Sequence, residues 1–460
     1  MESNKNSSDE NINQEEKQYD TIAFRVDFIE NLIKGTKLES LVAPDDSKDI
    51  LHHHDHNADE ECTDIRCILD KKICNFYDII TKIGCNLVYI KSGTTGHTFH
   101  VICDKKNGFQ HDVALKIVAY PIKEKYGDIY DVKRPENAEL LMIRVLSHFV
   151  VTRKSPHIAL PIGTFNANID AFVALTKSKI RGRSKFDNFL KSYDNKEFYN
   201  RISVLISEWA TGGDLLEYIR KNYKSLTLLH WKVIMFQIVS VLAVIQNKYP
   251  GFRHNDLKAN NILVQLIPMR TKNNFMQYDF KKQYYFLVPN IGIMVKLWDF
   301  DFASIPGLVN NAKVESRWAR ACINVCPKQN RYYDIHYFCN TIRKKAFFPQ
   351  YRESEYVPQE FRDFINRVVP NKYKKTGEDV GETGRLLADD EYTTPMEIIL
   401  NDPFFEEFRC TKNVIMDVYK QIKNRHGRND NEDKETNSKN ESNNVTPKSV
   451  KRFTLVRKKT

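Results

Sequence analysis

The chain has 460 residues, 41% hydrophobic and 12% aromatic, enough to bury a sizeable core and to form two or three domain-sized units. Seventy Lys and Arg against 59 Asp and Glu leave a modest formal charge of +11, spread along the chain, which reads as a solvated surface ahead of an acidic or nucleic-acid partner. Nine cysteines, an odd number with spacings such as Cys62-x4-Cys67 and Cys322-x3-Cys326, exclude a paired CxxC ribbon and point to free thiols in a reducing compartment.

The start, MESNKNSSDENINQEEKQ, is polar and acidic, unlike a signal or transit peptide, and residues 1–69 are expected to be a largely disordered extension. Within it His52, His53, His54 and His56 are read as part of a flexible loop, because no defined helix would fix them as metal ligands. Asn86–Ser92, His97–Asp104 and Asp112–Tyr120 are β-branched or aromatic runs separated by Gly and Asn turns, a three-stranded meander. Pro135–Phe149, with Leu140, Ile143 and Leu146 on one face, predicts a helix with proline in its first turn. Val204–Glu208 reads as a short buried strand. Trp231, Ile234, Met235, Ile238, Val241, Leu242 and Ile245 repeat as in a core helix that ends at Tyr249-Pro250-Gly251. Its longest apolar stretch, Val233–Ile245, is interrupted by Gln237 and is too short to cross a bilayer, so a soluble intracellular protein is expected. Residues 426–460, polar and then basic, are expected to be a disordered tail. A strand-rich front half passing into a helix-rich rear half predicts an α+β, two-lobed molecule with a cleft between the lobes.

The chemistry concentrates in His254-Asn255-Asp256-Leu257-Lys258-Ala259-Asn260-Asn261 and, downstream, Trp298-Asp299-Phe300-Asp301. These segments supply a carboxylate to orient a hydroxyl (Asp256), an ammonium for a phosphate (Lys258), and an amide and carboxylate for a divalent cation (Asn261, Asp299), the parts that phosphoryl transfer from a nucleotide needs. Upstream, Gly93 and Gly96 join the first two strands and would let backbone amides approach phosphates. Lys116, in Val113-Ala114-Leu115-Lys116, faces an apolar cleft and needs a counter-charge or a phosphate. Glu139 is the best partner, with Glu136 one turn earlier as the alternative. In Ile206-Ser207-Glu208-Trp209-Ala210-Thr211-Gly212-Gly213-Asp214-Leu215, backbone groups from Glu208 to Ala210 would meet an adenine edge, and Asp214 would both cap a helix and accept from a ribose hydroxyl.

Together these residues resemble the protein-kinase superfamily over about 85–420: GxxG, VALK, a helix glutamate, the hinge E-W-A-T-G-G-D-L, HNDLKxxN for HRDLKxxN, and DFD for DFG. His157-Ile158-Ala159-Leu160-Pro161-Ile162-Gly163 is similar to the family's fourth-strand stretch, and Leu400-Asn401-Asp402-Pro403-Phe404-Phe405 to its late L-x-H-P-F-F helix. Tyr332-Tyr333-Asp334 stands in the place of its F-helix DxW. With DFD and the Asn/Lys-rich composition, the chain is similar to divergent kinases of large DNA viruses, including the poxvirus-type kinase. The resemblance implies a kinase domain over 70–425, with a small antiparallel-sheet N-lobe at about 85–208 and a larger helical C-lobe at about 212–425. ATP with Mg²⁺ (Mn²⁺ as the alternative) would lie between the lobes, and transfer would go to Ser or Thr of a protein substrate, the DLK form favouring these over Tyr. No membrane or specific nucleic-acid partner is expected.

Departures from the family pattern are definite. Lys91 stands at the first glycine of the Gly-rich loop. Asn255 replaces the arginine that receives an activation-loop phosphate, so activity is expected not to require that phosphorylation. Asp301 replaces the DFG glycine, where it would contact a second metal or restrict loop flipping. No clear APE follows. Residues 167–202 and 266–292 exceed the family norm and are expected to be surface insertions. A pseudokinase scaffold and an aminoglycoside- or choline-type phosphotransferase are the competing readings.

Overall fold

The computed structural model describes residues 22–43, 63–83, 86–92, 96–102, 112–179, 184–267, 275–374, 376–418 and 420. The histidine cluster, Gly93 and the 426–460 tail lie outside them. Part of the expected disordered extension is folded. Helix α1 (Ile22–Ile33) buries Ile22, Arg25, Phe28 and Ile29 along one stripe. Helix α2 (Ile65–Leu69) is capped by Asp64, whose side chain accepts the Arg66 N–H, and the Ile65 N–H is anchored on Tyr130 O at 2.8 Å. Low overall hydrophobicity around these segments hid two short apolar faces that pack on the rest of the chain. Helix α3 (Phe76–Ile83) follows, burying Phe76, Ile79, Ile80 and Ile83.

The expected meander forms as β1 (Asn86–Ser92), β2 (His97–Ile102) and β3 (Val113–Pro121), but within a larger antiparallel sheet. After helix α4 (Pro135–Val151) come β4 (Pro161–Asn168), helices α5 (Ile169–Lys179) and α6 (Ser184–Asp194), and β5 (Phe198–Glu208). The sheet order is β1-β2-β3-β5-β4. The β3 run VALKIVAY is buried throughout because the strand is central, and its register sets Lys116 between Thr98 of β2 and Leu205 of β5. The described residues of 167–202 also pack against the sheet. Phe172, Phe186 and Phe189 enclose His97 at ring-centroid distances of 5.3, 5.5 and 5.0 Å, and burial pushes the His97 imidazole down to about 4.

Helices α7 (Leu215–Asn222) and α8 (Leu228–Lys248) follow. Helix α8 runs 21 residues, so by length and composition it does suffice to cross a membrane, a revision of the shorter expectation; here it is the core helix, mostly buried within the protein. Gln237, the polar break in its apolar face, ties it to the next layer: its Oε1 accepts the Val295 N–H at 2.8 Å and its Nε2 donates to Ile293 O at 3.3 Å. Strand β6 (Ile262–Leu266), strands β7 (Phe275–Phe280) and β8 (Tyr284–Pro289), and strand β9 (Ile293–Leu297) follow. Strand β6 pairs with β9. Strands β7 and β8 form a hairpin whose Tyr278 and Phe286 pack on Phe236 of α8 at 4.9 and 5.2 Å, so one face of the hairpin within the expected 266–292 insertion is buried against the core. Helices α9 (Arg317–Ile323), α10 (Tyr333–Ile342), α11 (Gln350–Glu353), α12 (Gln359–Val368) and α13 (Pro395–Asn401) complete the helical half. The NDPFF stretch forms a 3-10 helix, Pro403–Phe408, that sets Phe405 on Phe236 at 5.3 Å, and β10 (Arg409–Cys410) then pairs with β8.

One buried ionic group joins the N-terminal helix to the end of β5. Arg25 Nε and Nη2 donate to the two Glu208 carboxylate oxygens at 2.6 and 2.8 Å, and its remaining donors reach Pro156 O and Ile158 O at 3.1 and 2.8 Å. Lys296 of β9 adds a contact to Glu208 at 3.1 Å. Burial alone would raise the Glu208 carboxyl, but Arg25 and Lys296 outweigh it and bring it down to about 2. Its contribution to stability is complete above the ordinary carboxylate range and is lost as pH falls towards 2. Arg25→Met, which leaves the buried Glu208 with Lys296 as its one ionic partner, is expected to cost about 3 kcal/mol by denaturant titration at pH 7. It is also expected to move the acid-unfolding midpoint to higher pH.

Candidate active site

Three elements place charged groups against one another. Lys116, on the central strand β3, is 7% exposed, and its Nζ donates to Glu139 of α4 at 2.6 Å and to Asp299 just past β9 at 2.8 Å. Of the two candidate partners the structure selects Glu139; Glu136 pairs instead with Arg134 at 3.0 Å. Burial alone would depress the Lys116 ammonium, but the Asp299 and Glu139 carboxylates outweigh it and hold it above its ordinary range. Burial raises the Glu139 carboxyl against the pull of Lys116. Asp299 is driven the other way: burial opposes its charge, and Lys116 prevails, holding the carboxyl below the usual range.

The segment after α8 is shaped by Asp334 at the start of α10. The two Asp334 oxygens accept the N–H groups of His254 at 2.7 Å and Asn255 at 2.9 Å. This fixes Asn255 in the left-handed region, φ 62°, a conformation that Asn tolerates better than most residues. Asn255 Nδ2 donates to Phe302 O at 2.9 Å, and His254 Nε2 lies 3.0 Å from Trp298 O, so both loops are stitched together. Asp256 Oδ2 receives Lys258 Nζ at 2.7 Å and Asn261 Nδ2 at 3.0 Å. Asn261 O accepts the Trp298 N–H at 3.2 Å, which sets the residue before Asp299 beside Asn261. Asp299 itself sits at φ 64°, an uncommon backbone state for a non-glycine residue.

The turn after β5 docks on the same unit. A Cβ at Gly212 would meet Val264 O at 2.7 Å, and the Gly212 N–H bonds that oxygen at 2.8 Å; Gly213, at φ 73°, accepts the Val264 N–H through its own carbonyl. The Glu208 N–H is engaged by Leu160 O at 3.1 Å, and its side chain serves the Arg25 cluster; the Ala210 N–H has no hydrogen-bond partner among the described residues. Asp214 caps α7 through the Glu217 N–H at 3.0 Å and also receives Lys91 Nζ at 3.1 Å, so the lysine at the first-glycine position bridges β1 to the helix. Gly96 packs on β3: a Cβ there would meet Val118 Cγ2 at 2.8 Å and Ile117 O at 3.1 Å. Cavities of about 480 Å³ by Tyr223 and Tyr356, and of about 580 Å³ between α1 and α4, are not lined by these charged groups.

Asn261 Oδ1 and Asp299 Oδ2 accept no hydrogen bond among the described residues, and hard oxygen donors of this kind fit a divalent cation. Asp301, the residue in place of the DFG glycine, is ion-paired with the buried Lys313, and its carbonyl accepts Asn311 Nδ2 at 3.0 Å. Partners not read from the sequence include Arg25, on the N-terminal helix α1, and Arg385, whose guanidinium donates to Asp256 Oδ1 and to Asn255 O.

A mixed α/β fold with antiparallel sheets and many helices, and with a lysine–glutamate–aspartate cluster beside an HNDLKxxN segment, is kinase-like. The chain matches the family model described as poxvirus serine/threonine protein kinase over residues 162–382. It is 43% identical over 390 residues, 84% of this chain and 80% of the relative, to a protein of Acanthamoeba polyphaga mimivirus named "Putative serine/threonine-protein kinase". A second mimivirus protein of the same description is 43% identical over 67 residues, 15% of this chain and 17% of that one. An uncharacterized mimivirus protein is 28% identical over 223 residues, covering 48% and 23%. The chain belongs to the poxvirus-type serine/threonine kinase family.

Asp334→Asn removes one acceptor and leaves a His254 or Asn255 N–H unpaired in the interior. It is expected to cost about 1–3 kcal/mol by thermal or chemical denaturation. Faster hydrogen exchange at the amides of residues 254–256 should accompany the loss.

Proposed function

We propose that the protein transfers the terminal phosphoryl group of ATP to Ser or Thr hydroxyls of a protein substrate. The observation that carries this reading is the double contact of Lys116 Nζ with Glu139 and Asp299, in a unit whose Asn261–Trp298 hydrogen bond brings in Asp256 and Lys258. In this reading the sheet bearing Lys116 is the smaller of two lobes, the helical half is the larger, and the nucleotide lies between them. Lys116 holds the nucleotide's phosphates, Glu139 keeps it in place, and Gly96 lines the phosphate loop. The Ala210 amide meets the adenine edge, and Asp214 the ribose.

Asp256 orients the substrate hydroxyl and accepts its proton as the hydroxyl oxygen bonds to the terminal phosphorus and the bond from that phosphorus to the bridging oxygen breaks, releasing ADP; Lys258, 2.7 Å from Asp256, carries positive charge to the transferring group. Asn261 and Asp299 would hold Mg²⁺ or Mn²⁺, which supplies neutralisation of phosphate charge. Catalysis of this type is positioning and electrostatics rather than covalent chemistry, so it depends on the fixed ion pairs described above.

The test is transfer from radiolabelled ATP to casein and a basic protein, followed by phosphoamino-acid analysis, with Asp256→Asn and Asp299→Asn beside the wild type. Labelled phosphoserine or phosphothreonine is expected, with a loss on the order of 10²-fold or more in each variant. Label that goes only to amino alcohols or aminoglycosides would identify a small-molecule phosphotransferase. ATP binding without turnover would identify a scaffold.

With Asn255 in place of the phosphate-receiving arginine, and with Asp301 already paired with Lys313, the activation segment holds its own counter-charges. Phosphatase-treated protein is expected to keep full activity; complete loss on dephosphorylation would reject this part of the reading.

A further inference from the structure

Asp256 is gripped from two sides. Its Oδ2 takes Lys258 and Asn261, both from its own loop. Its Oδ1 takes Arg385, which is 129 residues away and lies just past the stretch matched by the family model. Arg385 is 5% exposed. It sits on a tight turn closed by the Val380–Leu386 bridge and by the Gly381 N–H to Arg385 O bond at 2.9 Å. Gly384, at φ 86°, turns the chain, and its carbonyl accepts Asn340 Nδ2 of α10 at 2.9 Å. The guanidinium lies 4.2 Å from the Tyr337 ring centroid and 3.4 Å from Tyr333 Oη, both on α10. Its Nη1 donates to Asn255 O and its Nη2 to Asp256 Oδ1, so one planar fork spans two successive residues of the loop.

No cation at position 255 does this work. Asn255 turns its side chain to Phe302 O, and the neighbouring Arg253 turns away, over the Tyr333 ring at 3.7 Å and to Lys328 O at 2.9 Å. Without Arg385, Asp256 would be held at Oδ2 alone and its carboxylate plane would be free to swing.

We propose that Arg385 is a positioning residue for phosphoryl transfer, holding the Asp256 carboxylate and the Asn255 carbonyl in the geometry that the incoming hydroxyl requires. The proposal rests on the phosphotransferase reading above. Arg385 does not reach the reacting atoms; it acts through Asp256. Lysine at 385 keeps the charge but not the fork, so it can satisfy one of the two acceptors at a time.

The test uses the full chain with Arg385→Met and Arg385→Lys. It reads kcat and KM for ATP, binding of a fluorescent ADP analogue, and the melting temperature. For Arg385→Met the expected result is a fall in kcat of about 10²-fold, with KM for ATP and ADP binding nearly unchanged. Arg385→Lys is expected to recover about tenfold of that loss. Unchanged kcat in both variants overturns the proposal. A rise in kcat overturns it too, and would make Arg385 a plug over Asp256. A joint fall in kcat, ADP binding and melting temperature reduces Arg385 to a structural role. If Arg385→Met does not fold, Arg385→Lys carries the test, and wild-type kcat in that variant rejects the proposal. Failure of the phosphotransferase reading is separately visible: the wild type then transfers nothing, and the proposal falls with it.

Discussion

A single buried ammonium, Lys116, is shared between carboxylates from two distant parts of the chain, Glu139 and Asp299. A charge removed from water must be matched by a partner or be lost, so this cluster is stable only when β3, α4 and the segment after β9 are correctly assembled. The five-stranded sheet supplies the lysine from its central strand. Helix α4 supplies one carboxylate, and the β6–β9 ladder carries the other to the same place. Asp299 keeps 38% side-chain exposure while Glu139 keeps 7%, so the two carboxylates that share the ammonium differ in their access to solvent.

The second constraint is backbone shape. Asn255 and Asp299 both have positive φ, and neither is glycine. Such states persist only where surroundings over-determine them. Asp334 does so for Asn255 by accepting two successive N–H groups, and the Asn261–Trp298 and His254–Trp298 contacts lock the two loops together. The Gly212–Gly213 turn adds a third anchor, since only the absence of a Cβ allows its close approach to Val264.

Against the general kinase pattern, the departures have compensations that lie elsewhere in the sequence. Lys91, in place of a glycine, finds Asp214. Asp301, in place of another glycine, finds Lys313. Asn255, in place of an arginine, is accompanied by Arg385 arriving from the 380–386 turn. The N-terminal helix α1 braces the end of β5 through Arg25 and Glu208, so a helix that follows a polar leader is bound to the core by a buried ion pair as well as by its apolar face of Ile22, Phe28 and Ile29.

Residue order alone carried much of this. The VALK segment, the HNDLKxxN and DFD segments, the N-cap at Asp214, the helices at Pro135 and Trp231, and the first three strands are local features, set by periodicity, turn residues and motif spacing that act over a few positions. What stayed hidden depends on contacts across long stretches of chain. The Arg25–Glu208 and Arg385–Asp256 pairs span 183 and 129 residues, and no local pattern marks one arginine among many as the one that will be buried. The same holds for the helices within 167–202 and the hairpin within 266–292, whose aromatic residues read as insertions until His97 and Phe236 provide the surfaces they cover. Local propensity settles which segments are helix or strand; only the packed chain settles which charges lose their water, and therefore which must find each other.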